Sequence, residues 1–221
     1  MITKIFGIGL NKTGTKTLGE CFRILGMNHG TWRADLLAQY RAGDLHHLFD
    51  EIDAGEAFED WPYPLIYKEL LLRYGRDAQF ILTRRRNAAI WLESLKRHCL
   101  RTSPTRHCRM LVYGYAYPHG VESHYLRFYT QHEHDVRQFF AQQGASDQLL
   151  EICWEDGDGW AELCAFLRRP VPDIPFPFTN KSVERPLVDD ILLQNLAHIR
   201  YQLGLLNPHL TEANLPSVTI E

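Results

Sequence analysis

Apolar residues along this chain fall into two rhythms. Short unbroken runs, TKIFGIGL (3–10), AQFILT (78–83) and QLLEICW (148–154), have the length of buried strands and run into polar or turn-forming residues. Between them, apolar positions return at helical spacing. In TKTLGECFRILG (15–26), Leu18, Cys21, Phe22 and Leu25 line one helix face and Gly26 offers a stop. Further helices are predicted in 35–55 (one or two), 65–75 ending at Gly75, 88–100, 121–143, 159–169 and 188–206. PVPDIPFPF (170–178) carries four prolines in nine residues, which predicts an extended linker outside any central sheet. Strands alternating with helices predict an α/β protein in three layers, with a mainly parallel central sheet flanked by helices. The whole chain, 1–221, reads as one domain, with a helical region at 100–145 and a proline linker plus helical segment at 170–221.

Composition narrows the picture. At 221 residues, 45% hydrophobic and 23% charged, the chain is long enough for one sizeable core. A net charge of −3 argues against a general nucleic-acid binder. The five cysteines (Cys21, Cys99, Cys108, Cys153, Cys164) are scattered without a CxxC pair, so neither a zinc framework nor a disulfide scaffold is expected. Reduced thiols, no secretory signal and no run near the ~20 apolar residues of a membrane span together predict a cytoplasmic protein that enters no membrane.

The first candidate chemistry lies where the first strand meets its helix, in LNKTGTKTL (10–18). At the carboxyl end of a parallel strand, free backbone amides and the helix dipole favour an anion. Gly14 permits close backbone approach, Thr13, Thr15 and Thr17 carry hydroxyls, and Lys12 and Lys16 carry positive charge. A Walker loop places lysine directly after its last glycine. Here Thr15 intervenes, so the turn predicts a phosphate site of another kind.

A second anion site is predicted at the end of the AQFILT strand, where Arg84, Arg85 and Arg86 stand in a row. Guanidinium groups pair with phosphate in bidentate fashion, and three together repel unless an anion sits among them or solvent screens them as an exposed basic strand end. Counting from the strand points to Arg85.

On these residues the chain resembles the sulfotransferases that use 3′-phosphoadenosine-5′-phosphosulfate (PAPS). Lys12-Thr13-Gly14-Thr15 follows the order of their 5′-phosphosulfate loop, with Lys16 where the family usually has Thr. The resemblance implies a P-loop-like sulfotransferase fold and a 3′-phosphate site at Arg86, with Ser94 eight positions later, leaving Arg85 and Arg86 both open. It also implies a base between the two loops, where Asp60-Trp61-Pro62 stands in place of His-x-Pro; Asp60 is the first candidate and Glu59 the second. An exposed aspartate, near pKa 3.9, is a weak base, and burial would strengthen it. The alternative role for Asp60 is capping the helix after Pro62. CWEDGDGW (153–160) is similar to the family's Tyr-Glu-Asp stretch, which implies that Trp154 lies near the adenine. A basic loop after the prolines implies Lys181, with Ser182 and Arg185, as closing residues.

Glu155, Asp156 and Asp158 read as a solvated turn with a helix cap rather than a metal set. His132 and His134, two apart, do not share a helix face, so no metal is expected there either, and they are read as lining an acceptor cleft or lying on the surface. The implied activity is sulfonate transfer from PAPS, leaving PAP, to a hydroxyl or amine of a small molecule or glycan. The alternatives are an ATP-dependent phosphotransferase and an inactive nucleotide-binding relative. Oligomeric state and acceptor identity are not encoded in any motif of the chain.

Overall fold

The computed structural model describes residues 3–103, 108–178, 188–209 and 214. Five parallel strands form one sheet: β1 (Lys4–Gly7), β2 (His29–Gly30), β3 (Ala57–Phe58), β4 (Ala78–Thr83) and β5 (Leu149–Ile152). Their spatial order is β2-β3-β1-β4-β5, so β1 is central. Among the described residues there are nine α-helices: α1 (Thr15–Ile24), α2 (Ala34–Arg41), α3 (His46–Ala54), α4 (Tyr67–Tyr74), α5 (Ala88–Leu100), α6 (Arg109–Tyr113), α7 (Glu122–Gln142), α8 (Trp160–Leu167) and α9 (Asp189–Leu206). The α/β class and the helix-flanked parallel sheet follow the apolar rhythms. None of the described helices is long and apolar enough to cross a membrane.

The described chain divides into two compact units. The first, Met1–Asn87 with Gln131–Thr179, holds the whole sheet. Strand side chains alternate between faces, as a pleat requires. Phe6, Ile8, Phe80 and Leu82 pack against Leu36 of α2, Leu48 and Ile52 of α3, Leu70 of α4 and Phe140 of α7. Ile5, Ile81 and Ile152 face the other way, onto Leu18 and Phe22 of α1 and Leu163 and Leu167 of α8. Three layers result. Lys4 pins the centre: its Nζ donates to the carbonyls of Ile52 and Asp53 at 2.9 Å, and to that of Gly55, where α3 ends. A cation at a helix C-terminus complements its dipole.

The second unit, Ala88–Thr130 with Asn180–Glu221, is helical in its described residues. Trp91 of α5 is fully buried with its ring 4.8 Å from Tyr129 of α7. Asn195 of α9 is buried too; it donates to the carbonyls of Leu100 and Thr102 and accepts from the Tyr117 hydroxyl at 2.7 Å.

Candidate active site

Past Gly7, Ile8 stays on the sheet through its N–H, which donates to the Ile81 carbonyl at 2.8 Å. The chain then turns sharply, with left-handed backbone at Lys12 (φ 70°) and Gly14 (φ 96°). The turn is pressed onto the end of β4: a Cβ at Gly9 would stand 2.1 Å from Thr83 Oγ1. Thr13 is buried, and its hydroxyl donates to the Leu10 carbonyl at 2.6 Å and meets the Thr83 hydroxyl at 2.7 Å. That side chain anchors the turn.

At α1 the Leu18 N–H donates to the Gly14 carbonyl, which leaves the amides of Thr15 and Lys16 without an acceptor inside the helix. Gly14 provides no side-chain cap, the first turn holds no acid, and Lys16 is exposed within it. Positive charge is therefore concentrated at this helix start. Gly14 has a further reason to be glycine. Trp154 occupies the space a side chain would take, 2.3 Å from the missing Cβ, and its Nε1–H donates to the Gly14 carbonyl at 3.3 Å. Trp154 also packs against Phe176 at 4.9 Å, and Phe176 against the exposed Phe178 at 5.3 Å. The proline segment thus brings an aromatic wall to the turn.

The arginine strand end reaches the same turn. Arg85 Nε donates to the Lys12 carbonyl at 2.6 Å, and its Nη1 to Glu155 Oε1 at 2.6 Å. The Arg86 amide donates to Glu155 Oε2 at 3.1 Å, and its guanidinium to Asp156 Oδ1 at 2.9 Å and the Glu155 carbonyl at 2.6 Å. Arg84 lies 3.8 Å from Asp156 and 3.9 Å from Glu151. The anion among the cations is the protein's own acidic turn. The reading of 155–158 as a solvated turn with a cap is corrected accordingly: Glu155 and Asp156 hold arginines, and Asp158 accepts the Cys153 N–H at 2.7 Å. The start of α8 is capped instead by Glu162, which accepts the Gly159 N–H at 2.8 Å.

Asp60 follows β3 with φ 70°, a left-handed conformation that Asp tolerates better than most residues. Its Oδ1 accepts the Trp61 N–H at 2.9 Å, and its Oδ2 accepts from the Thr15 hydroxyl at 3.4 Å. It does not cap the helical turn at Tyr63–Leu65, whose N-cap is Pro62. Burial, reinforced by the neighbouring Glu59 charge, pushes the Asp60 carboxyl up to about 7, against the pull of the Trp61 amide, Lys16 and the Thr15 hydroxyl. Glu59 faces a different set of groups. It is buried, accepts from the Thr31 hydroxyl through Oε1, and lies 3.6 Å from His29 Nε2. Its Oε2 has no hydrogen-bond partner among the described residues.

Thr15 and Thr17 are buried in the first turn of α1. Ser94 is buried on α5, in the second unit. Lys181, Ser182 and Arg185 fall outside the described residues. Four contributors carried no motif: Gly9, Thr83, Phe176 and His132. His134 is exposed, and His132 is held against the interior. Its Nε2 donates to the Ile8 carbonyl at 2.8 Å, its ring meets Tyr67 edge-on at 5.9 Å, and burial pushes its pKa down to about 4. Among the described residues no group of His, Cys, Asp and Glu forms a metal set.

A parallel sheet whose central strand runs into a lysine-bearing turn, at a helix start without a side-chain cap, defines an α/β protein with positive charge gathered at the carboxyl end of its central strand. A family model described as a sulfotransferase domain matches residues 4–119 and 104–185, and the chain belongs to that family. No curated protein matches it.

Proposed function

We propose that this sulfotransferase uses PAPS as donor and a hydroxyl or amine of a small molecule or glycan as acceptor. PAPS supplies the sulfonate group and PAP remains. The observation that supports the donor is the 2.6 Å bond from Arg85 to the Lys12 carbonyl, which joins two cationic segments 73 residues apart in the chain. A bisphosphorylated nucleoside has anionic groups for both.

In this reading the amides at the start of α1, with Lys12, Lys16, Thr15 and Thr17, hold the 5′ end. Thr13 and Gly14 shape the turn. Arg85 and Arg86 hold the 3′-phosphate, and that phosphate takes over bonds now made by Glu155 and Asp156. Trp154, buried against Gly14 and Phe176, lines the turn beside the adenine. Asp60 accepts the acceptor's proton, its basicity raised above that of an ordinary aspartate by burial and by Glu59. Glu59, second in line, keeps Asp60 basic by repulsion. Lys12 and Lys16 stabilise the charge that develops on the leaving oxygen. The five buried cysteines, as thiols, suit a cytoplasmic enzyme.

The test is thermal unfolding with PAP. We expect stabilisation by PAP, lost in Lys12→Ala; no shift at saturating PAP overturns the proposal. A shift with ATP–Mg²⁺ in its place would indicate a phosphotransferase. PAP binding without transfer of labelled sulfonate from PAPS to a metabolite and glycan panel would indicate an inactive binder.

A further inference from the structure

We infer that Thr15 and Lys16 couple the two halves of the site, so that filling the anion-binding turn drives a proton from solvent onto Asp60. The inference rests on the donor reading above and adds a linkage to it.

The geometry is specific. Asp60 lies between two influences of opposite sign. Directly after β3 comes Glu59, buried and adjacent, whose charge opposes ionisation of Asp60. From α1 come the Thr15 hydroxyl, donating to Oδ2 at 3.4 Å, and the Lys16 ammonium, which attracts the carboxylate. The Trp61 amide, donating to Oδ1 at 2.9 Å, belongs to the turn itself. Two of the three groups that favour the ionised form are therefore residues of the anion-binding turn.

An anion in that turn needs those same groups. Lys16 becomes paired with the ligand. Thr15 has one hydroxyl proton, which serves one acceptor well at a time. The ligand's own negative charge adds to that of Glu59, which stays where it is. Every change favours the carboxylic acid. Burial and Glu59 already hold Asp60 close to neutrality, so the shift falls in a range where it changes the protonation state. A protonated Asp60 cannot activate a stray water, which protects a waiting donor from hydrolysis. The base then works at a pH above its raised value.

The experiment is calorimetric titration of the full chain with PAP near pH 7.5, in buffers of different ionisation enthalpy. Phosphate groups titrate near pH 6 and add their own proton exchange, so Asp60→Asn serves as the baseline. Asn tolerates the left-handed backbone at this position. We expect the wild type to take up a substantial fraction of a proton more than Asp60→Asn. Lys16→Gln should take up less than the wild type, since its Asp60 has already lost the cation. Relative to Asp60→Asn, wild-type affinity should fall with rising pH, by at most about tenfold per unit. Equal proton counts in the wild type and Asp60→Asn, with PAP bound to both, overturn the coupling and leave the donor reading standing. Absence of PAP binding to the wild type overturns the donor reading, and the coupling with it.

Discussion

The hydroxyls of Thr13 and Thr83 meet 2.7 Å apart in the interior, joining the turn after β1 to the last residue of β4. The single proton of Thr13 goes to the Leu10 carbonyl at 2.6 Å, so Thr83 donates in this pair. Arg84 to Arg86 come directly after Thr83, and the pair therefore sets the arginine strand end against the lysine-bearing turn. Thr83→Val keeps the side-chain shape and removes the donor. It should cost about 1 kcal/mol in urea denaturation, with a parallel loss of PAP affinity. Unchanged stability would show that the pair contributes nothing.

Gly14 is constrained twice, by φ 96° and by the Trp154 indole 2.3 Å from where a Cβ would stand. Gly14→Ala should destabilise the protein by more than about 1 kcal/mol. Trp154→Ala in the same chain should restore part of that loss by opening space, but not all, because the backbone strain remains. A double-mutant cycle in denaturant measures the two contributions, and strict additivity would refute the steric one.

Arg85 and Arg86 differ in their partners. Only Arg85 bonds the Lys12 carbonyl, whereas the Arg86 guanidinium lies against Glu155 and Asp156. Arg85→Ala should therefore weaken PAP binding by tenfold or more beyond the effect of Arg86→Ala, since it loosens the turn as well as removing charge. Isothermal titration of the two variants decides it. A larger loss in Arg86→Ala would transfer the main 3′-phosphate role to Arg86.

His132 ties α7 to the end of β1 and is neutral in the folded protein, its pKa pushed down to about 4 by burial. An unfolded histidine titrates near 6.5, so between about 6.5 and 4 the unfolded chain binds the extra proton. Stability should fall on acidification across that window, by at most about 1.4 kcal/mol per pH unit from this group. His132→Gln should flatten that limb of the pH–stability curve measured in denaturant. An unchanged slope would assign the acid sensitivity to other groups.

The long elements were legible because each buries one continuous face, and burial imprints its period on the sequence. AQFILT is β4 and AAIWLESLKRHCL is α5, residue for residue, and the turn between β1 and α1 announced itself through its glycine, lysines and threonines. β2 and β3, two residues each, and the five-residue α6 are too short to carry a period. Their pairing comes from neighbours already in place.

Local pattern and residue type were enough to set the layered α/β class, the position of the lysine- and threonine-bearing turn and the arginine cluster. Tertiary structure alone decided who partners whom. It turned the Thr13 hydroxyl inward to Thr83, gave the arginines Glu155 and Asp156 as counter-charges, and set Asp60 between Glu59 and the start of α1. Hydrogen bonds and charge interactions act over a few ångströms in space, whatever the separation along the chain, so these pairings exist only once the sheet has brought distant residues together.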